Sequence, residues 1–258
     1  MAYLIRYGEI GLKGLNRPFF ENKLVGNIRL MIGDEKARIK KARGRIILDT
    51  ENDASEKLKM VFGITSFSIA EKCESEKLND LVLDLVKDKK FETFRITANR
   101  INKDFPKTSD QIARELGKLV FDKLGKKVSL EKYDLNINIE IIDAAYVFFD
   151  RVECCGGLPV GVEGRVIALI ETRKGAEAAK GVMRRGCDVI PVAFKKQNID
   201  DINEYLPRKK ELIIIKNIKE VDGIAEKEDA RALVVEDGLE DLKNYDIKLA
   251  VLRPLCFD

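Results

Sequence analysis

Short apolar runs alternate with amphipathic stretches through the first part of the chain. Residues 3–7 form an apolar run that predicts a strand, and apolar residues at helical spacing predict a helix ending near Met31. Asn16 is the predicted N-cap of this helix, with Pro18 in its first turn. The elements predicted next are two strands joined at Gly44, a helix that Asp53 caps, and a strand over residues 64–70. The order βαββαβ is that of a ferredoxin-like unit.

A second region begins with an amphipathic helix over residues 78–87 and a strand over 91–100. Ser109 is the predicted cap of a further helix, which ends near Gly125. Residues 135–141 alternate strictly between apolar and polar side chains, which predicts a strand with one buried face. Another strand is predicted over residues 145–152. These elements predict a second α+β domain.

The third region has the pattern of a small α/β layer. Its apolar runs lie at residues 166–170, 189–194, 212–215, 232–235 and 249–252 and alternate with charged, partly helical segments. Continuous apolar runs of this kind are typical of buried parallel strands. The predicted fold class is therefore α/β with an α+β N-terminal half.

The turn after residue 170 is the place where such a layer usually binds a nucleotide phosphate. A strand, a tight turn and a helix beginning near Ala176 would bring unpaired helical N–H groups to an anion. The turn reads ETRKG over residues 171–175, with a single glycine and a carboxylate at its mouth. The scaffold of a nucleotide site is therefore expected here without its phosphate-contacting residues.

Composition limits the class of protein and the available chemistry. The 258 residues are 45% hydrophobic and 35% charged, which is typical of a soluble globular protein, and they have room for one large or two to three small domains. The chain has no apolar stretch of membrane-spanning length, and its first residues lack the core of a signal peptide. Its five cysteines predict reduced thiols and a cytoplasmic location. The absence of histidine excludes Ser–His and Cys–His nucleophiles and His-containing zinc sites, and no metal site is predicted.

Charge is distributed unevenly along the chain. Residues 1–50 contain 11 Lys and Arg against 5 Asp and Glu, whereas residues 211–258 contain 7 against 12. A basic N-terminal part favours binding of a polyanion there. The densest basic segment is the predicted hairpin, with Arg38, Lys40, Lys41, Arg43 and Arg45. These side chains either bind phosphates, adding affinity and no base specificity, or form a solvated edge that discourages strand pairing.

The second region carries residues that could continue the basic track of the hairpin. The candidates are the cations Arg95, Arg100, Lys103, Lys107, Arg114 and Lys118, together with Thr108 at a helix N-terminus. A helix N-terminus is itself a phosphate receptor, but each member is also compatible with a cap or ordinary surface charge. We therefore predict nucleic-acid binding by the set and not by any one residue.

Several segments resemble the tRNA 4-thiouridine synthetase (thiamine-biosynthesis sulfurtransferase) family. RYGEIGLKGLNRPFFENKLVGNI at 6–28 is similar to its N-terminal ferredoxin-like signature, and VFGITSFSIA at 61–70 to the junction with its RNA-binding THUMP domain. TSDQIARELG at 108–117 and AYVFFDRVECCGGLPVGVEGRV at 145–166 resemble that module. MRRGCDVIPVAF at 183–194 and VLRPL at 251–255 resemble pieces of its PP-loop domain. The resemblance implies a ferredoxin-like domain over 1–73, a THUMP domain over 74–160 and a reduced Rossmann-like, PP-loop-type α/β domain over 161–258.

The departures from the family pattern concern its catalytic part. Family enzymes carry an SGGxDS loop, whose glycines let backbone N–H groups approach the ATP phosphates, where this chain has ETRKGAE at 171–177. The comparable place for the sulfur-carrying cysteine, near residues 212–216, has no cysteine. The residues that match positions lining the adenine side are Leu169, Ile170, Ala193 and Phe194. We therefore predict a degenerate PP-loop and no catalytic residue.

These observations lead to three functional hypotheses. The first is an RNA-binding THUMP-domain protein without a cofactor, which binds tRNA or other structured RNA and no membrane. The alternative is an active ATP-dependent tRNA sulfurtransferase that makes 4-thiouridine through an altered loop, with ATP and Mg²⁺ as cofactors. In the third, the acidic C-terminal domain recruits a protein partner or forms a homodimer.

Two further features are each open to a structural and a functional interpretation. The glycine-rich segment Gly156–Gly161 is either a rigid turn between domains or an RNA contact. The vicinal Cys154 and Cys155 are either inert packing residues or a reactive pair, and no neighbouring base is evident to lower a thiol pKa. Cys73, Cys187 and Cys256 fit buried, small apolar positions.

Overall fold

The first 73 residues form the βαββαβ order that the hydrophobic pattern predicts. The computed structural model describes residues 1–257, with the backbone alone at 257. Its first elements are the strands β1 (Ala2–Arg6), β2 (Arg38–Ala42), β3 (Arg45–Asp49) and β4 (Ser66–Cys73) and the helices α1 (Arg17–Ile32) and α2 (Ser55–Lys59). The β2–β3 hairpin turns at Gly44, whose φ of 74° is in the left-handed region that favours glycine. The ferredoxin-like prediction is confirmed by this element order.

The second region continues the same sheet. Its elements are α3 (Leu78–Val86), β5 (Thr93–Arg100), α4 (Ser109–Leu124), β6 (Lys127–Val128), β7 (Leu135–Ile141), β8 (Ala145–Phe148) and β9 (Val152–Glu153). Eight of the nine strands follow the order β2-β3-β1-β4-β8-β7-β5-β6, and the ninth, β9, pairs with β4. Strand β7 has the bounds that its alternating sequence predicts, and it runs parallel to β5 from Leu135 to Ile141.

The third region forms a separate parallel sheet. Its elements are β10 (Arg165–Leu169), α5 (Arg173–Arg184), β11 (Asp188–Ala193), α6 (Asp200–Asn203), β12 (Ile213–Ile214), α7 (Glu220–Glu228), β13 (Ala230–Val234) and β14 (Ala250–Leu252). The strand order is β12-β11-β10-β13-β14, with parallel pairing throughout. Chain order therefore reverses between β10 and β13, which is the switch point where open α/β sheets bind ligands.

The described chain divides into two compact units. The first unit contains residues 1–5, 38–52 and 67–152, and the second contains residues 6–37, 53–66 and those from 153 onward. In the first unit one buried cluster joins α3, α4 and the strands β5, β7 and β8. In the second unit two clusters cover the faces of the parallel sheet. The predicted domain boundaries at 73 and 160 stay predictions.

Asn16 is the N-cap of α1 as predicted, whereas the caps of α4 and α2 differ from those predicted. Asn16 makes no capping hydrogen bond, because it ends a 3₁₀ turn that leads directly into α1. The cap of α4 is Thr108 and not Ser109, since Thr108 and Gln111 form a reciprocal capping box. Asp53 accepts a hydrogen bond from the backbone N–H of Ser55 at 2.9 Å, and α2 ends at Lys59, earlier than predicted.

Candidate functional site

The β2–β3 hairpin presents its basic residues in two different environments. Arg38, Lys40, Lys41 and Arg43 are exposed. Arg45 instead donates from Nε and Nη2 to the two carboxylate oxygens of Glu140, at 2.9 and 3.0 Å. The Glu140 side chain is only 3% exposed, so Arg45 supplies the countercharge of a buried carboxylate.

Lys40 is exposed but is not an isolated cation. Its Nζ lies 2.8 Å from Oδ2 of Asp143. The other carboxylate oxygen of Asp143, Oδ1, accepts a hydrogen bond from the Tyr146 hydroxyl at 2.9 Å. Burial acts to raise the pKa of Asp143, but the hydrogen bonds from Lys40 and Tyr146 outweigh it and lower this pKa below its ordinary value. The charge of Lys40 is therefore partly neutralised within the first unit.

The hairpin and the loop after β5 converge on one buried cluster. Ala42, at the end of β2, and Ile101, directly after β5, both pack against the cluster that contains Leu4, Ile142 and Tyr146. Basic residues that are about sixty positions apart in sequence are therefore brought to neighbouring parts of the first unit. The end of the basic hairpin and the loop that carries Lys103 therefore share one buried cluster.

Several members of the predicted basic track have structural roles. Arg100 donates from Nη1 to the carbonyl of Phe105 at 2.9 Å, and Lys107 forms an ion pair with Glu115. The Thr108 hydroxyl accepts a hydrogen bond from the backbone N–H of Gln111 in the capping box. Arg95 lies over the Tyr133 ring, 5.8 Å from its centroid.

Five other members are exposed cations without an ion-pair partner among residues 1–257, whereas Lys41 is exposed but has an interaction within the protein. This set, which we call the five unpaired cations, consists of Arg38, Arg43, Lys103, Arg114 and Lys118. Arg114 and Lys118 are one turn apart on α4, so they share a face of that helix. All five belong to the first unit. Their charge is not offset locally and can attract a polyanion.

The residues predicted to match the adenine side meet at the carboxyl edge of the third-region sheet. Leu169 and Ala193 end the neighbouring strands β10 and β11, and Ile170 donates its backbone N–H to the carbonyl of Val192 at 2.8 Å. These three side chains are buried or nearly so, whereas Phe194 is 38% exposed.

The N-terminus of α5 at the same edge is occupied by side chains of the protein. Thr172 caps the helix by accepting from the backbone N–H of Lys174, and it donates its hydroxyl to Oε2 of Glu236 at 2.6 Å. A Cβ placed on Gly175 would lie 3.1 Å from that carboxylate oxygen. Glu171 accepts a hydrogen bond from the backbone N–H of Phe194 at 2.7 Å. Two carboxylates therefore stand where a phosphate-binding loop would need donors.

Glu236 was not predicted from the sequence. It follows β13, and only the switch-point topology brings it to the turn after β10. Gln197 is a second such residue, since its side-chain amide donates to the carbonyl of Ile170. Neither contact could be predicted from a local sequence motif, because each joins segments that are distant in the chain.

Two family models match the N-terminal half of the chain. The ThiI ferredoxin-like domain matches residues 2–68, and the THUMP domain matches residues 74–150. The probable tRNA sulfurtransferase of Thermococcus kodakarensis is 38% identical over 205 residues, which are 73% of this chain and 54% of that protein. A second probable tRNA sulfurtransferase, from Moorella thermoacetica, is 38% identical over 202 residues, 75% of this chain and 52% of that protein.

The chain belongs to the tRNA 4-thiouridine synthetase family. The resemblance inferred from its sequence motifs is thereby confirmed, as is the α/β fold class with ferredoxin-like and THUMP domains and a parallel sheet. The chain spans about half the length of these sulfurtransferases.

Two solved structures extend the similarity over nearly the whole chain. PH1313 from Pyrococcus horikoshii is 30% identical with a TM-score of 0.87, and the match covers 98% of this chain and 94% of that one. A 4-thiouridine synthetase in complex with RNA and with bound ATP is 25% identical with a TM-score of 0.80, over 98% of this chain and 80% of that one.

The glycine-rich segment of this 4-thiouridine synthetase family member packs closely against its neighbours. A Cβ on Gly157, whose φ is 76°, would lie 2.2 Å from the carbonyl oxygen of Arg184. Gly156 and Leu158 donate their backbone N–H groups to the carbonyls of Ile64 and Arg184 at 2.8 and 2.9 Å. These contacts favour the turn interpretation over the RNA contact.

The five cysteines are free thiols, and each is only half-buried. Cys73, Cys187 and Cys256, which were expected at buried, small apolar positions, are only partly buried; Cys73 and Cys187 pack against buried clusters, and the Cys256 thiol lies 3.6 Å from the carbonyl of Asp237. Burial raises the pKa of the Cys155 thiol, whose Sγ contacts the carbonyl of Lys59 at 2.9 Å. A raised thiol pKa disfavours the reactive thiolate.

Membrane-spanning helices and metal-ligand clusters are both absent from residues 1–257. Among residues 1–257, no helix combines the length and apolar character needed to cross a membrane. The same residues contain no group of three Cys, Asp or Glu arranged to hold a metal ion. The predicted cytoplasmic location stays a prediction.

Proposed function

We propose that this member of the 4-thiouridine synthetase family binds tRNA through the five unpaired cations of its first compact unit. The observation that carries the proposal is the presence of all five exposed cations in one compact unit that also contains the THUMP domain. The relatives named probable tRNA sulfurtransferases, and the 4-thiouridine synthetase solved with RNA, support tRNA as the ligand.

The proposed mode of recognition is electrostatic. Arginine and lysine side chains neutralise backbone phosphates, which adds affinity without reading bases. Structured RNA is recognised largely by shape, backbone and exposed ends, so a basic surface with few exposed aromatic residues suits it. Arg45, Arg100 and Lys107 would contribute less, because each is already held by a partner inside the unit.

Filter binding of a tRNA transcript tests this proposal. We expect the wild-type protein to bind at low salt and a variant with all five unpaired cations changed to Gln to bind at least about tenfold more weakly. A matched variant, Lys77→Gln with Lys87→Gln, removes paired cations of the same unit and should bind like wild type. Absence of wild-type binding at low salt, or equal binding by the five-residue variant, would contradict the proposal.

We also propose that the turn after β10 does not bind the triphosphate of ATP. A phosphate at the N-terminus of α5 would meet the carboxylate of Glu236, which lies 2.6 Å from the Thr172 hydroxyl, and Glu171 at the mouth of the turn. Like charges at such short range are unfavourable in a partly desolvated site. This arrangement supports a degenerate PP-loop that binds no ATP, and the absence of a cysteine over residues 212–216 supports the loss of the sulfur-carrying thiol.

The second candidate function is an ATP-dependent tRNA sulfurtransferase that makes 4-thiouridine. It is favoured by the names of the relatives and by the solved 4-thiouridine synthetase with bound ATP. Under this function ATP and Mg²⁺ would bind at the carboxyl edge of the parallel sheet. Release of pyrophosphate from ATP and Mg²⁺ in the presence of tRNA separates the two functions, since we expect none, and release would favour the enzyme.

A further inference from the structure

A half-enclosed cavity of about 420 Å³ lies within the second compact unit, at the amino edge of its parallel sheet. Arg165, Asp188 and Glu228 contribute to its walls, and they stand at the start of β10, the start of β11 and the end of α7. Leu169 and Ala193, at the carboxyl edge, mark the opposite ends of β10 and β11. The cavity is therefore distinct from the nucleotide position considered above.

Four cations face this cavity against two carboxylates. Lys210 Nζ lies 2.6 Å from Oδ1 of Asp188, and Arg165 reaches both Asp188 and Glu228, at 3.7 and 3.8 Å. These ion pairs fix the walls and match two cations to two carboxylates. Lys23 and Arg208 have no ion-pair partner among residues 1–257, so the cavity keeps an excess of positive charge.

The position of Lys23 depends on a glycine. Lys23 is half-buried on α1, and its Nζ and Cε would lie 2.8 and 2.9 Å from a Cβ placed on Gly161. Gly161 has a φ of 87°, and its backbone N–H donates to the carbonyl of Gly186 at 2.8 Å. The absence of a side chain there lets the ammonium group pack against the backbone at the cavity wall.

We propose that this cavity binds a small phosphorylated solute, with Lys23 and Arg208 as its phosphate ligands. A guanidinium group binds phosphate through two parallel hydrogen bonds, and an ammonium group binds it as a point charge. The recessed, half-enclosed shape suits a molecule of nucleoside monophosphate size better than the backbone of a folded RNA.

Calorimetry on the whole chain tests the site with three probes: adenosine 5′-monophosphate, inorganic phosphate and adenosine. We expect saturable binding of the two phosphate probes and none of adenosine. Lys23→Met, which keeps the apolar stem, and Arg208→Gln should each weaken binding about tenfold or more. Lys90→Gln, on an exposed loop outside the cavity, should bind like wild type. Thermal unfolding of each variant verifies that it is folded.

Other outcomes would overturn the proposal. One is absence of binding by either phosphate probe, and another is unchanged binding in both Lys23→Met and Arg208→Gln. A change caused by Glu236→Gln but not by Lys23→Met would place the ligand at the carboxyl edge instead. Loss of tRNA affinity in Lys23→Met without any small-probe binding would assign the cations to RNA. None of these results depends on the five unpaired cations, so the proposed tRNA binding is judged separately.

Discussion

Arg43 and Arg45 flank the turn of the same hairpin, but they have different physical roles. Arg45 neutralises the buried Glu140, whereas Arg43 is exposed and has no ion-pair partner within residues 1–257. Removing one partner of a buried pair leaves an uncompensated charge, which costs far more than losing an exposed cation. The two substitutions should therefore separate stability from RNA affinity.

We predict that Arg45→Met lowers the free energy of unfolding by about 3 kcal/mol, because Glu140 would keep its burial and lose its countercharge. Arg43→Met should change it by less than about 0.5 kcal/mol. Urea unfolding followed by circular dichroism measures both values. An equal loss of unfolding free energy in the two variants would show that the Arg45–Glu140 pair contributes no more to stability than an exposed arginine.

Lys40 gives a prediction about pH. The folded-state pKa of Asp143 lies below its ordinary value of 3.8, so its contribution to stability is present above that value and is lost as pH falls through the folded pKa. Lys40→Gln removes one of the hydrogen bonds that lower this pKa. We therefore expect the variant to unfold in acid at a higher pH than wild type. An unchanged acid midpoint would mean that the Lys40–Asp143 contact is not maintained in solution.

At the scale of elements, α4 places Arg114 and Lys118 on one exposed face. Its N-terminus is closed by the reciprocal hydrogen bonds of Thr108 and Gln111, at 3.2 and 2.8 Å. Its C-terminus ends at Gly125 in the left-handed conformation, with a φ of 66°. The Thr108 hydroxyl therefore serves as the acceptor of the helix cap. An RNA phosphate could contact it only as an additional hydrogen-bond partner.

We predict that Thr108→Ala lowers the free energy of unfolding by about 1 kcal/mol, because a helical N–H loses its acceptor. Thr108→Ser keeps an oxygen in the same place and should retain most of the stability. Thermal and urea unfolding provide the comparison. A Thr108→Ser variant as unstable as Thr108→Ala would indicate that the methyl group, and not the cap, matters.

The same elements show what the sequence could predict and why. Strand β7 was predicted to the residue, because alternation between polar and apolar side chains depends only on neighbours in the chain. The predicted strand over 145–152 instead divides into β8 and β9, and the carbonyl of Phe149 between them accepts a hydrogen bond from Asn138. The choice of Thr108 over Ser109 as cap depends on Gln111. Contacts of this kind depend on geometry that periodicity does not encode.

At the scale of the whole molecule, net charge understates the basic character of the proposed RNA-binding surface. The chain as a whole carries a formal charge of only +3. The five unpaired cations nevertheless belong to one unit, and the carboxylates that offset other cations there are already engaged. Sequence identified all five residues. The sequence did not distinguish them from Arg45, Arg100 and Lys107. The ion pairs and the hydrogen bond that hold those three side chains form only in the folded chain.

We predict that the logarithm of the tRNA association constant falls with the logarithm of salt concentration with a slope of about −4, since each neutralised phosphate contributes roughly −0.7 to −0.9. Each single change of an unpaired cation to Gln should reduce the steepness by about one such increment. Binding measured over a salt series gives these slopes. A slope near zero would mean that phosphate contacts do not dominate the interaction.

The alternation of the chain between its two compact units has a consequence for how this protein can be divided. The backbone leaves the first unit after residue 5, returns at 38, leaves after 52, returns at 67 and leaves again after 152. Cleavage of the chain after residue 73 would therefore leave parts of both units on each fragment. We therefore expect gene fusion or limited digestion there to yield no independently stable piece. The three domains predicted from the sequence and the two compact units of the folded chain divide this protein at different residues.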